Sequence, residues 1–205
     1  MQVSDLISAL KYGELSNVAL SDTILDNNAD NGATYSFINR AIAEVNKDLF
    51  INQEKITIPL VENQTVYPLT SFSVVKVISA KRSDDTDIPL NDYTNSKESV
   101  LSNSFDIIEY AGKHLQKHDY IVLRCLKSIP EVLSSTDTIP IPSTYINCLL
   151  SYIGYLAQMS LGIAEDTVSA TFMNNYLTSI NNIKTLGIDK TESTSSTKFF
   201  DKGFV

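Results

Sequence analysis

The sequence predicts an α+β chain, mainly α: a helical bundle with a small antiparallel β insertion and an extended C-terminal arm. Three observations predict it. Apolar residues recur at helical spacing near the start of the chain and again after residue 140. Between these blocks, residues 55–127 change to the alternating pattern of strands. At the end, ten consecutive residues from Asp189 to Lys198 are polar or charged, and Phe199, Phe200 and Phe204 follow them. The expected organisation is therefore 1–54 for the N-terminal helices of the body, 55–127 for the β insertion, 128–188 for the long C-terminal helices and 189–205 for a flexible docking arm.

In chain order, Val3, Leu6, Ile7 and Leu10 repeat at helical spacing, with Ser4 as the expected N-cap and Gly13 as the stop. A polar loop, "LDNNADNGAT", follows. Phe37, Ile38, Ala41, Ile42, Val45 and Leu49 then line one face of a helix expected over about 34–50, with Asn39, Arg40, Glu44 and Lys47 off that face. "KITIPL", "TVYPL", "SVVKVISAKR", "SFDIIEY" and "YIVLRCLK" read as strands, and Pro59, Pro68 and Pro89 mark several of them as short or as edges. Pro140 and Pro142 precede Ser143, the expected N-cap of a helix that faces Ile146, Leu149, Leu150, Ile153 and Leu156 one way and ends at Gly162. A last helix starts near Glu165 and Asp166, acids suited to a first turn. It presents Phe172, Met173, Tyr176, Leu177, Ile180 and Ile183, and stops at Gly187 with Ile188 beyond. A stripe this broad serves two neighbours, so Phe172, Tyr176 and Ile180 are candidates for a subunit–subunit interface as well as for core.

At 205 residues, 43% hydrophobic and 20% charged, the composition is that of an ordinary globular protein with a sizeable core. Net charge is −8, a poor footprint for gripping nucleic acid, which requires clustered Lys and Arg. No apolar run approaches the ~20 residues that span a bilayer, and the first residues lack the basic start and cleavage site of a signal peptide. The expectation is a protein with no membrane partner that is made in a cytoplasm. Cys125 and Cys148, the two cysteines, each fall in an apolar pattern and read as buried thiols.

Catalytic and metal sets were sought in the pattern. His114 and His118 are four apart, but Gly112 precedes them and no Glu or Cys completes a set, so a hairpin tip with solvated histidines is expected. "DNNADNG" at 26–32 has Asn31 where a calcium loop needs glycine and Phe37 where it needs a bidentate acid. "RSDDTD" at 82–87 clusters acids in a turn. Phosphate loops, nucleophile elbows and zinc-protease motifs do not occur. The expectation is no catalysis, no cofactor and no metal.

Three stretches carry a resemblance. "INRAIAEVNKDLF" (38–50) is a helix bearing Asn-Arg and ending in Leu-Phe. "ITIPLVENQTVYPLTSFSVVKVISAKR" (56–82) joins a strand, a Tyr-Pro-Leu turn and a strand. "IPSTYINCLLSYIGYLA" (141–157) is a proline, an aromatic and a long helix. In this order they resemble the head-to-tail connector proteins of tailed bacteriophages: adaptors, head-completion proteins and tail tubular protein A. The resemblance implies a homo-oligomeric ring of twelve copies in the neck of the virion, assembled in the host cytoplasm. Its partners would be the portal protein, the next tail or nozzle protein, and double-stranded DNA passing through without tight binding. It also implies that the ring extends the channel, seals the packaged head and receives the tail. Phe199, Phe200 and Phe204 would then be the anchors of a portal-docking arm. Two other readings are weighed beside it: a monomeric or dimeric bacterial adaptor domain without catalytic activity, and a metal enzyme built on His114 and His118.

Overall fold

A computed structural model describes residues 1–14, 32–96, 98–104, 106–111, 120–160 and 167–187. The chain divides into two compact units, one formed by Met1–Ala41 with Leu133–Val205 and the other by Ile42–Val132.

In the first unit, helix α1 (Val3–Ala9) runs into a π-helical turn, Leu10–Glu14. Val3, Leu6, Ile7 and Leu10 are all buried, as their spacing requires. The cap differs from expectation. Gln2 is the N-cap, and its backbone N–H donates to the Asp5 carboxylate at 3.0 Å. Ser4 lies inside the first turn, where the orphan N–H groups of a helix start need acceptors. The connecting loop supplies them: the N–H of Val3 donates to the carbonyl of Asp137 (3.0 Å) and that of Ser4 to Ser135 (2.9 Å). The loop is rounded by the Asp137 carboxylate, which accepts the N–H groups of Leu133 and Ser134 at 2.8 and 2.9 Å.

Helix α2 (Gly32–Leu49) begins in this unit and ends in the other. Helix α3 (Ile146–Ser160) is entered through a 3-10 turn, Ser143–Tyr145, so Ser143 opens that turn instead of capping the α-helix. Helix α4 (Thr167–Leu186) ends at Gly187, whose φ of 66° is left-handed and whose N–H donates to the Lys184 carbonyl at 3.2 Å.

Among its described residues the second unit holds seven strands: β1 (Gln53–Pro59), β2 (Val66–Pro68), β3 (Val74–Arg82), β4 (Asp87–Ile88), β5 (Val100–Leu101), β6 (Ile107–Tyr110) and β7 (Tyr120–Lys127). They form two antiparallel sheets, ordered β1-β7-β3-β4 and β2-β6-β5. Pro59 and Pro68 lie on β1 and β2, both edge strands, where a missing N–H breaks no ladder. One core serves both sheets, with Ile58, Val77 and Leu123 from the first and Tyr67, Val100 and Ile108 from the second.

This overturns the expected fold class. Among the described residues helix accounts for 47% and strand for 25%, so the protein is a mixed α/β fold and not a helical bundle with a small β insertion. The cause is pairing at long range. β1 finds its partner, β7, at the far end of the unit, with Ile56 opposite Leu123, and no local signal announces that the strands between them close around a common core.

Turn chemistry follows from the scarcity of glycine, of which the chain has 7. Phe50, Asn63, Ser73, Asp85 and Asn91 take left-handed backbone conformations. Phe50, which ends α2, is the bulkiest. Its carbonyl accepts from the Gln53 side chain at 2.7 Å, and the Lys76 ammonium lies 5.4 Å from its ring centroid.

Candidate assembly surfaces

The α3–α4 pair positions three of the residues singled out in the sequence. Phe172, Tyr176 and Ile180 share one face of α4 with Ser169 and Ile183, and all five are buried. The Tyr176 ring lies 4.8 Å from that of Tyr152 on α3, and Tyr152 lies 5.8 Å from Tyr155. Gly154 lets the helices approach: a Cβ there would stand 2.7 Å from two ring carbons of Phe172. These three side chains are thus interior to the chain's own helical pair. Exposed apolar side chains of α4 lie elsewhere on its circumference, at Val168, Leu177 and Leu186, and Met159 is exposed on α3.

Charge is sparse here. α3 contains no charged residue, and α4 contains only Lys184. Thr171 and Thr185 turn their hydroxyls back onto the carbonyls of Thr167 and Asn181, at 2.7 and 2.8 Å. With the hydroxyls so occupied, an exposed threonine offers its methyl group to whatever lies outside. The side of α4 away from α3 carries Thr171, Asn174, Asn175, Thr178, Asn181, Asn182 and Thr185 and is uncharged but polar.

The remaining sequence candidates are placed as follows. Phe199, Phe200 and Phe204 lie outside the described residues, as do His114, His118, the acids Glu165 and Asp166, Gly162, Ile188 and nearly all of "DNNADNG". In "RSDDTD", the Asp84 carboxylate accepts from the N–H and hydroxyl of its own neighbour Thr86 at 3.1 and 2.6 Å, a closed turn. Among the described residues no three or more His, Cys, Asp or Glu gather as metal ligands do. Burial pushes the thiols of Cys125 and Cys148 up to about 11. The Asp92 carboxyl is held below its usual range by the hydroxyl and N–H of Thr94. No described helix is long and apolar enough to cross a membrane.

The sequence names Leu177 as part of the stripe but not Val168 or Leu186, and a broad apolar stripe does not say which of its members the partner helix takes. Leu177 and Tyr176 are neighbours in sequence and end on different sides of the helix.

Among the described residues, what the fold brings together here are packing side chains. The family model for the SU10 adaptor protein matches residues 10–197, and the chain belongs to that family. It is accordingly a bacteriophage structural adaptor, a virion component that assembles with other virion proteins. That membership points to a structural role and not to a catalytic one. No curated protein matches the chain.

Proposed function

We propose that the protein forms a ring, of twelve copies, in the neck of the virion between the portal and the tail. The ring extends the DNA channel, holds the packaged head closed and offers the next tail protein its attachment surface. The observation that carries this reading is the family match over residues 10–197, which takes in both units and reaches the polar run before the terminal phenylalanines. Phe199, Phe200 and Phe204 dock on the portal at the end of that run, which spans at most about 33–36 Å when extended. Phe172, Tyr176 and Ile180 serve the subunit contact from within, fixing α4 on α3 so that its uncharged side meets a neighbour. The net charge of −8 keeps the channel from gripping DNA, since like charge holds phosphates away from a wall.

Electron microscopy of the purified protein mixed with portal-bearing heads tests the proposal. A twelve-fold collar beneath the portal is the expected result. A protein that stays in solution while heads and portal are intact overturns it.

A further inference from the structure

The β unit does not carry its charge evenly. Strand register puts Lys55 opposite Arg124, and Arg124 opposite Ser79. Lys81 stands opposite Val122 and Asp87, and Lys76 opposite Leu126. Lys55, Arg124 and Lys81 alternate with the core-facing Ile56, Leu123 and Ala80, and Lys76 precedes the core residue Val77, so these four lie on the outer face of the four-stranded sheet, whose end at Leu126 is itself buried. Lys55, Lys76 and Lys81 are exposed. On that face Lys55, Lys76, Lys81 and Arg124 stand with one acid, Asp87, which lies opposite Lys81; Lys127 is paired with Glu54 at 2.6 Å.

The second sheet has the opposite character. Glu109 alternates with the core residues Ile108 and Tyr110 and so lies on the outer face of β6, with the exposed Asp106 just before the strand. Glu62, Asp92 and Glu98 flank β2 and β5. In the segments 60–72 and 89–111 these five acids meet a single base, Lys97, which lies outside the described residues. Because both sheets share one core, each turns its other face away from it. Asp92 stays ionised there, its carboxyl held down by Thr94.

We infer that the β unit is an electrostatic head-to-tail joint between copies of this chain. The basic outer face of the β1-β7-β3-β4 sheet of one copy receives the acidic outer side of the β2-β6-β5 sheet of the next. The inference rests on the ring reading and names its surfaces. A second copy is the occupant because it matches both faces at once, whereas a nucleic acid would match the basic face and be repelled by the acidic one. Two different faces meeting repeatedly make a heterologous contact, the kind that closes into rings.

Reciprocal charge reversal tests it in phage lacking the gene and supplied with variants from a plasmid. Lys55→Glu/Lys81→Glu reverses the basic face, and Asp106→Lys/Glu109→Lys reverses the acidic side. All four positions are at the surface or half-buried, so circular dichroism should show folded proteins. Either variant alone should lower the copies found in purified virions by about tenfold or more, because like charges then face each other at the joint. The two variants supplied together should restore incorporation to within about twofold, since each reversed face then meets its reversed complement. Incorporation of both single-sided variants at wild-type level, or no restoration in the mixture, overturns the joint. Chemical cross-linking of wild-type virions separates the two readings: homo-multimers with unaffected variants sink only the joint, and an absence of homo-multimers sinks the ring as well.

Discussion

A single methyl group separates Gly154 from a clash, since its Cβ would meet the Phe172 ring at 2.7 Å. Gly154→Ala should destabilise the protein by about 1–3 kcal/mol, the usual range for overpacking, as read by denaturant unfolding. Combining it with Phe172→Leu should destabilise less than the two single changes added, because the second removes the ring the first collides with. Tyr176 is 2% exposed, so Tyr176→Asp buries an unpaired carboxylate and should lower the melting temperature outright. The thiols give a residue-scale prediction in pH. Burial raises their folded pKa to about 11 from the ordinary 9.0. Well below pH 9 both folded and unfolded thiols are protonated and the stability is fully present. Above it the unfolded state alone releases protons, so stability falls as pH rises towards 11. A thiol reagent at pH 8 should accordingly label neither cysteine in the native protein and both after unfolding.

At the scale of elements, α2 is tied to the β unit by one buried side chain. Asn46 donates its amide to the Lys127 carbonyl at 2.9 Å, and its oxygen accepts the Asn52 N–H at 2.8 Å. Asn46→Leu keeps the volume and removes both bonds. It should lower stability by about 1–3 kcal/mol per backbone group left without a partner, measurable by thermal unfolding. Elements are also where the sequence was most legible. The periodicity of Ile38, Ala41, Ile42, Val45 and Leu49 anticipated α2 to within two residues, because a helix is specified by its own turn-to-turn spacing. β1, β3 and β7 were legible for the same local reason. β4 and β5, two residues each, were not, because they owe their existence to pairing with β3 and β6. The charged faces were hidden likewise: Lys55, Lys81 and Arg124 are far apart in the chain, and only the register gathers them.

For the whole molecule, the proposed docking arm makes the sharpest prediction. Removing residues 189–205 should leave a folded protein, since the last helix ends at Leu186 with Gly187 as its stop. The truncated protein should no longer be retained on portal-bearing heads in a pull-down, and the packaged DNA should leak. Phe199→Ala/Phe200→Ala should reproduce much of the defect, and Ser195→Ala should not. Retention of the truncated protein at the wild-type level would remove the arm from the proposal.

The two units differ in how the chain builds them. The β unit is one continuous stretch, Ile42–Val132, whereas the helical unit needs both Met1–Ala41 and the residues from Leu133 onward. Synthesis therefore completes the two at different times. When Val132 has been joined to the chain, every described strand has been made, but α1 still lacks the carbonyls of Ser135 and Asp137, and neither α3 nor α4 has been made. At translation rates of 5–20 residues per second the remainder follows about 4–15 s later, ample time for a domain to fold as a unit. The β unit can therefore be complete on the nascent chain before the helical surfaces proposed for the neighbour and the arm proposed for the portal have been made. A joint whose charged faces mature first and whose anchors arrive last gives each chain an order of events, in which copies can recognise one another before any of them can be held in place.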